Sequence, residues 1–241
     1  YIDRYPGNPT NSINTYIAGR EIGEIWGFET VGIAKTDDEM QAHLNKVGGQ
    51  SAIGSGVWTA GDIMYADQDG KPGITKGAQT LEDHGDLKVI GNNTPRYHFG
   101  LDLNANYKGF DVRLFFQGVM KRDYWQGSNI FWGVGQWGMW WSTGLKEHED
   151  YFRDEPVGLA GHEIAANVNS YYARPRFDST QNQETQTRYL QDASYIRLKN
   201  LQIGYTLPKQ WINKLHINRC RVYVSGDNLW TGTSLASMLD A

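Results

Sequence analysis

Two aspartates one residue apart are the first candidates for chemistry. Asp67-Gln68-Asp69-Gly70 sets carboxylates at alternate positions before a glycine, as a calcium loop does. Lys71 stands where a further acid would follow, Pro72 comes next, and Ala78 occupies the twelfth position, so a complete EF-hand is excluded. Either Asp67 and Asp69 hold a divalent ion, calcium by its preference for hard oxygen ligands, or they close an Asx-turn with their own side chains. The acids Glu147, Glu149 and Asp150 surround His148, and Asp154-Glu155 follow. Two facing carboxylates could serve a glycosidase, but runs of this kind are ordinarily solvated loop charge. The six histidines (His43, His84, His98, His148, His162, His216) include no i, i+4 pair. Cys220 is the single cysteine, and neither a P-loop nor a Gly-x-Ser-x-Gly motif is present. The expectation is a protein with no catalytic residue and no required cofactor, not an enzyme.

The aromatic residues carry a different signal. Tyr124 to Trp141 holds five of the nine tryptophans, Trp125, Trp132, Trp137, Trp140 and Trp141, with glycines interleaved. Indole faces stack on sugar rings and anchor protein interfaces. The segment is open to three readings: contact with a substrate, contact with a partner, or packing of the loop on itself or at a membrane interface.

Clean two-residue alternation identifies the elements that would carry such a loop. Tyr97, Phe99, Leu101, Leu103, Ala105 and Tyr107 alternate with His98, Gly100, Asp102, Asn104 and Asn106. That is a strand with one apolar and one polar face. After the turn signal Lys108-Gly109 the pattern resumes, with Phe110, Val112, Leu114 and Phe116 against Asp111, Arg113 and Gln117, which makes a β-hairpin. Further on, Ile196 and Leu198 alternate with Arg197 and Lys199. The apolar phase then slips at Lys199-Asn200 to Leu201, Ile203, Tyr205 and Leu207, which predicts a β-bulge. Pro208 ends that strand, Gln210 to Leu215 could form a helical turn, and Cys220, Val222 and Val224 alternate with Arg221 and Tyr223. One helix is predicted over Asp37 to Val47, with Thr36 and Glu39 as its capping box and Met40, Leu44 and Val47 as its apolar stripe.

These strands run about 9–13 residues, longer than the ~5–6 usual in globular domains and matched to the ~9–11 of a transmembrane strand. Aromatics sit at their ends, where an outer-membrane barrel carries its girdles, and short turns alternate with a stretch of about 70 residues from Val119 to Arg188. A soluble antiparallel sheet with one wet face is the alternative. Composition excludes other classes. Aromatics make up 13% of the 241 residues, which is incompatible with a disordered chain. A net charge of −4 gives no support for nucleic-acid binding.

Six strings in order carry a family resemblance. They are Gly61-Asp62-Ile63-Met64-Tyr65-Ala66-Asp67-Gln68-Asp69-Gly70, Ile90-Gly91-Asn92-Asn93-Thr94-Pro95-Arg96-Tyr97, Tyr107-Lys108-Gly109-Phe110-Asp111-Val112 with Phe116-Gln117-Gly118, the run from Arg188 to Asn200, Gly204-Tyr205-Thr206-Leu207-Pro208, and the run from Val222 to Thr231. Together they resemble the C-terminal part of SusC/RagA-type TonB-dependent outer-membrane transporters. The resemblance implies an all-β fold: residues 1–241 would be the C-terminal portion of a large antiparallel outer-membrane β-barrel with long extracellular loops and one short helix. The plug domain, the first half of the barrel and the terminal strand would lie outside this stretch. It further implies TonB-energised import of a nutrient, an oligosaccharide or a peptide, with a SusD-like surface lipoprotein, TonB (through the plug) and outer-membrane lipid as partners. The lumen face would carry His98, Asp102, Asn104, Asn106, Asp111, Arg113, Gln117, Arg197, Lys199, Arg221 and Tyr223. The rival reading is a soluble carbohydrate-binding or carbohydrate-degrading β-domain using the tryptophan-rich segment as its platform.

Overall fold

A computed structural model describes residues 5–54, 56–133, 144–176, 179–213, 216–236 and 239. The chain divides into two compact units, Tyr1–Asn93 with Tyr124–Leu190, and Thr94–Asp123 with Gln191–Ala241.

The first unit opens with β1 (Glu24–Phe28) and β2 (Thr30–Ile33), followed by α1 (Asp37–Val47), β3 (Ile63–Tyr65) and β4 (Leu87–Asn92). β1 pairs antiparallel with β4, and β2 with β3. α1 starts where the sequence places it. The Thr36 hydroxyl accepts from the Glu39 amide at 3.1 Å, and Glu39 reaches back to the Lys35 amide at 2.7 Å. Gly48 ends the helix at φ 78°, a left-handed residue that a side chain would strain. Met40 and Val47 are buried, and Phe28, Ile63, Tyr65, Phe131, Phe152 and Tyr189 fill the core beside them.

One buried carboxylate joins the two stretches of this unit. Asp62 has no exposure and accepts from the Thr59 amide (2.9 Å), from Arg176 Nε and Nη2 (3.0 and 2.5 Å) and from Asn182 Nδ2 (2.8 Å). The Tyr65 hydroxyl donates to the Gln181 carbonyl at 2.8 Å, and Gln186 Nε2 donates to the Asn182 carbonyl at 2.9 Å. Segments more than a hundred residues apart are thereby tied by side chains. Within the long stretch from Val119 to Arg188, residues 124–190 belong to the same compact unit as residues 1–93. The ties are single polar side chains, which leave no periodic mark in sequence.

The second unit is one antiparallel sheet in the order β10-β9-β6-β5, built from β5 (Tyr97–Tyr107), β6 (Phe110–Met120), β9 (Tyr195–Thr206) and β10 (Arg221–Thr233). Two-residue strands, β7 (Asp123–Tyr124) and β8 (Gln191–Asp192), flank the long excursion. Lys108 (φ 47°) and Gly109 (φ 92°) both lie in the left-handed region, as a type I′ hairpin turn requires. β5 and β6 pair without interruption from Tyr97↔Met120 to Tyr107↔Phe110. The bulge is where the phase slip predicts it. Phe115 pairs Asn200 and Phe116 pairs Leu198, so Lys199 is the extra residue. β10 shifts opposite the same point, between Asp227 and Trp230. Pro208 ends β9, and a one-turn helix, α2 (Lys209–Ile212), leads toward β10.

Candidate functional site

The sheet of the second unit has two chemically distinct faces. Register places Leu101 beside Phe116, Leu103 beside Leu114, and Val112 and Val224 beside Ile203. This apolar face is left open in the described structure: Leu103 is 45% exposed and Val224 76%. Aromatics close it at both ends. Tyr107, Phe110 and Tyr205 cluster at the turn end, where the Phe110 and Tyr205 rings lie 4.4 Å apart, and Tyr97 stands at the other, with Trp230 further in, level with Leu101. Ten steps from Tyr97 to Tyr107 at about 3.4 Å make about 34 Å. Tilted by about 40°, that spans about 26 Å, the height of an outer-membrane barrel's apolar band.

The opposite face is a set of paired polar groups. Arg113 donates to Asp102 from Nε (3.2 Å) and Nη2 (2.5 Å), and Asn104 donates to the same carboxylate at 3.0 Å. Arg221 lies across β9 to reach Asp111 on β6, donating from Nε at 2.9 Å and also from Nη2. The crossing point is Gly204, where an added Cβ would meet the Arg221 guanidinium at 2.4 Å. Arg221 also covers the Tyr223 ring at 5.0 Å, and Arg197 Nε donates to Thr231 Oγ1 at 2.9 Å. Register adds His98, Asn106 and Gln117 to this face. Lys199 has no partner across the strands, being the bulged residue, so register does not assign it. Sequence reasoning missed Asn200, Gln202 and Asp227. Asn200 donates to Asp227 at 2.8 Å, and the signal was available in the phase after the bulge.

In the first unit Asp67 and Asp69 meet a third acid. Asp86, buried and seventeen positions further on, brings its carboxylate within 4.8 Å of both. The hydrogen bonds of the Asx-turn reading are present, since the Gly70 amide donates to Asp67 (2.7 Å) and the Lys71 amide to Asp69 (2.8 Å). Asp86 accepts from the amides of Gln68 (2.8 Å) and Thr75 (2.7 Å). The Lys71 amide and ammonium hold the Asp69 carboxyl below its ordinary range. Lone pairs left on the three carboxylates could take a hard cation such as calcium, with Lys71, 3.1 Å from Asp69, as the competing counter-ion.

Of the five tryptophans in the glycine-rich stretch, Trp132 is buried and Trp125 half-buried, their rings 6.1 Å apart. Trp137, Trp140 and Trp141 lie outside the described residues. Trp132 packs edge-on against Phe131 (5.0 Å) and Tyr189 (4.9 Å). Tyr189 stacks with Tyr172, and burial pushes its hydroxyl up to about 12. The acids nearby clasp the loop: Asp150 accepts from Asn167 Nδ2 (2.7 Å) and the Tyr171 amide (3.1 Å), and Asp154 pairs with Arg174.

An open apolar face between aromatic ends, backed by a polar face, defines a wall segment of an outer-membrane barrel. Sequence comparison agrees. No family model matches the chain. It is 28% identical over 234 residues to TonB-dependent receptor P3 of Formosa agariphila, covering 97% of the chain and 20% of the relative. It is 26% identical over 187 residues to TonB-dependent receptor P26 of the same organism, covering 72% of the chain and 17% of that relative. The chain thus spans about a fifth of the length of the curated relatives it matches. Among solved structures, one of the RagAB peptide transporter superposes on 88% of the chain and 19% of its own, at a TM-score of 0.50 and 20% identity, which supports the fold. The chain thus resembles TonB-dependent receptors, its fold is supported by the RagAB transporter, and the resemblance points to the outer membrane.

Proposed function

We propose that this chain is the C-terminal part of a transporter that imports a nutrient across the outer membrane with energy delivered by TonB. The nutrient is an oligosaccharide or a peptide, and a SusD-like lipoprotein covers the outer mouth. The observation that carries this reading is the two-faced sheet. Its open apolar face suits lipid, while Asp102, Asn104, Asp111, Arg113, Arg197, Arg221 and Tyr223 would line the lumen. Most charges on that face are paired side by side, so a hydrated solute would meet hydrogen-bonding groups and few free ions. The plug, the TonB contact and the rest of the barrel would come from the remaining four-fifths of the receptor. The acids Asp67, Asp69 and Asp86 would take a calcium ion that firms the loop between β3 and β4.

The test is uptake of labelled oligosaccharides and tripeptides by cells carrying or lacking the parent gene. Import should depend on the gene and stop when an uncoupler collapses the proton-motive force. A parent protein that stays monodisperse in buffer without detergent would favour the soluble carbohydrate-binding reading instead.

A further inference from the structure

One histidine ties together the two ends of the tryptophan-rich stretch. Trp132 and Gly133 lead into the part that holds Trp137, Trp140 and Trp141, and Gly144 and Leu145 lead out of it. His148, on a 3₁₀ turn (Lys146–Glu149), touches both ends. Its Nδ1 accepts from the Leu145 amide at 2.8 Å, and its Nε2 lies 3.0 Å from the Phe131 carbonyl. The ring also lies against Gly133, where an added Cβ would meet Nδ1 at 2.5 Å, and its centroid is 5.4 Å from that of Tyr172. These two bonds fix the charge as well as the position. A carbonyl oxygen only accepts, so Nε2 carries the proton; an amide N–H only donates, so Nδ1 carries none. The ring that joins Phe131 to Leu145 is therefore the neutral Nε2–H tautomer. A second proton, on Nδ1, would set a donor against a donor and break the bond to Leu145.

His148 is half-buried, so protons reach it from solvent. Lys146, Glu147, Glu149 and Asp150 flank it in the chain, and Tyr172 packs on its ring. Tyr151, Arg174 and Arg176 border the same small cavity, the two arginines paired with Asp154 and Asp62. Burial raises the Tyr172 hydroxyl above its ordinary range, so it stays neutral. Among these side-chain types only imidazole ordinarily changes charge between about pH 5 and 8. The far side of the turn is held by bonds that do not titrate there. Arg153 Nη1 donates to the Glu149 and Tyr151 carbonyls at 2.7 and 3.2 Å, and its Nε donates to the Ala165 carbonyl at 2.8 Å. We infer that His148 is an acid-sensitive clasp: neutral, it pins Leu145 to Phe131 at the root of the tryptophan-rich stretch, and protonated, it lets them part. Release takes up one proton, so the clasp holds at higher pH and is lost as pH falls. Residues 149–153 stay in place. None of this depends on what the receptor imports.

The experiment uses the full-length receptor in detergent. Hydrogen exchange is followed by mass spectrometry from about pH 8 to about pH 5 and corrected for the intrinsic pH dependence of amide exchange. Protection of the Leu145 amide should fall toward acid by up to about tenfold per pH unit, the limit for one linked proton, while residues 149–153 hold steady. His148→Asn keeps an acceptor near the position of Nδ1 and cannot titrate, so the profile should become flat with Leu145 still protected. His148→Phe removes both bonds and should leave Leu145 at its acid level of protection throughout. His148→Asn remains informative if His148→Phe fails to fold. A flat native profile would overturn the inference. So would a slope that survives in His148→Asn, which would move the cause to the neighbouring carboxylates, or an equal loss across residues 149–153, which would make it unfolding of the whole unit.

Discussion

At the scale of single residues, a side chain's cost depends on which face of the strand it occupies. Leu103 and Asn104 are neighbours near the middle of β5 on opposite faces. Leu103→Arg should destabilise the receptor by about 2–4 kcal/mol in lipid, while Asn104→Arg should cost much less. Equal costs in denaturant titrations of the refolded protein would contradict the facing assigned here. Asp62 gives a second test. Asp62→Asn leaves the Arg176 guanidinium facing an amide in the core, and breaking such a pair costs about 3–5 kcal/mol. Hydrogen exchange at the Ile63 and Tyr65 amides should accelerate accordingly. His43 supplies a pH dependence. Burial lowers its pKa, and its Nε2 shares the Gln50 Oε1 acceptor with the Tyr65 amide. A histidine held neutral in the fold stabilises it above the ordinary value of about 6.5, and that stability is lost as pH falls below it toward the lowered folded value, because the unfolded chain takes up the proton first. Protection of the Tyr65 amide should therefore decline below about pH 6.5, and a flat profile would remove His43 from the account.

At the scale of elements, the strands of the barrel wall and the helix were legible because each obeys a local period. α1 could be bounded from Thr36, Glu39 and the stripe of Met40, Leu44 and Val47, and Thr36→Ala should cost about 1 kcal/mol, read as faster exchange in its first turn. The bulge at Lys199 was legible for the same reason, since a one-residue slip moves every later apolar side chain to the other phase. Strands β1 to β4 were not separated from loop in the sequence. They are three to six residues long, too short for alternation to show, and their partners are distant. The acid cluster was half legible: Asp67 and Asp69 share a turn, but Asp86 joins them only through the fold.

At the scale of the molecule, the division of labour was visible and its boundary was not. The strand pattern marks a membrane wall, but nothing periodic announces that residues before β5 and after β6 close into one body. The side of the membrane on which that body lies can be tested with cysteines placed in a Cys220→Ala background. Leu159→Cys, at a site 80% exposed, should react with a membrane-impermeant maleimide in intact cells. Lys108→Cys, in the tight turn, should react only after the outer membrane is permeabilised. The opposite pattern would invert the assigned orientation.

The hairpin of β5 and β6 leaves the loop unit after Asn93 and returns to it at Tyr124. Both of its legs are therefore spliced to halves of a single folded body, and those halves are knotted together by Asp62, Tyr65 and Gln186. Closure of that body therefore has an order: Asp62 and Tyr65, made first, gain Arg176, Gln181 and Asn182 only after both strands of the hairpin have been synthesised.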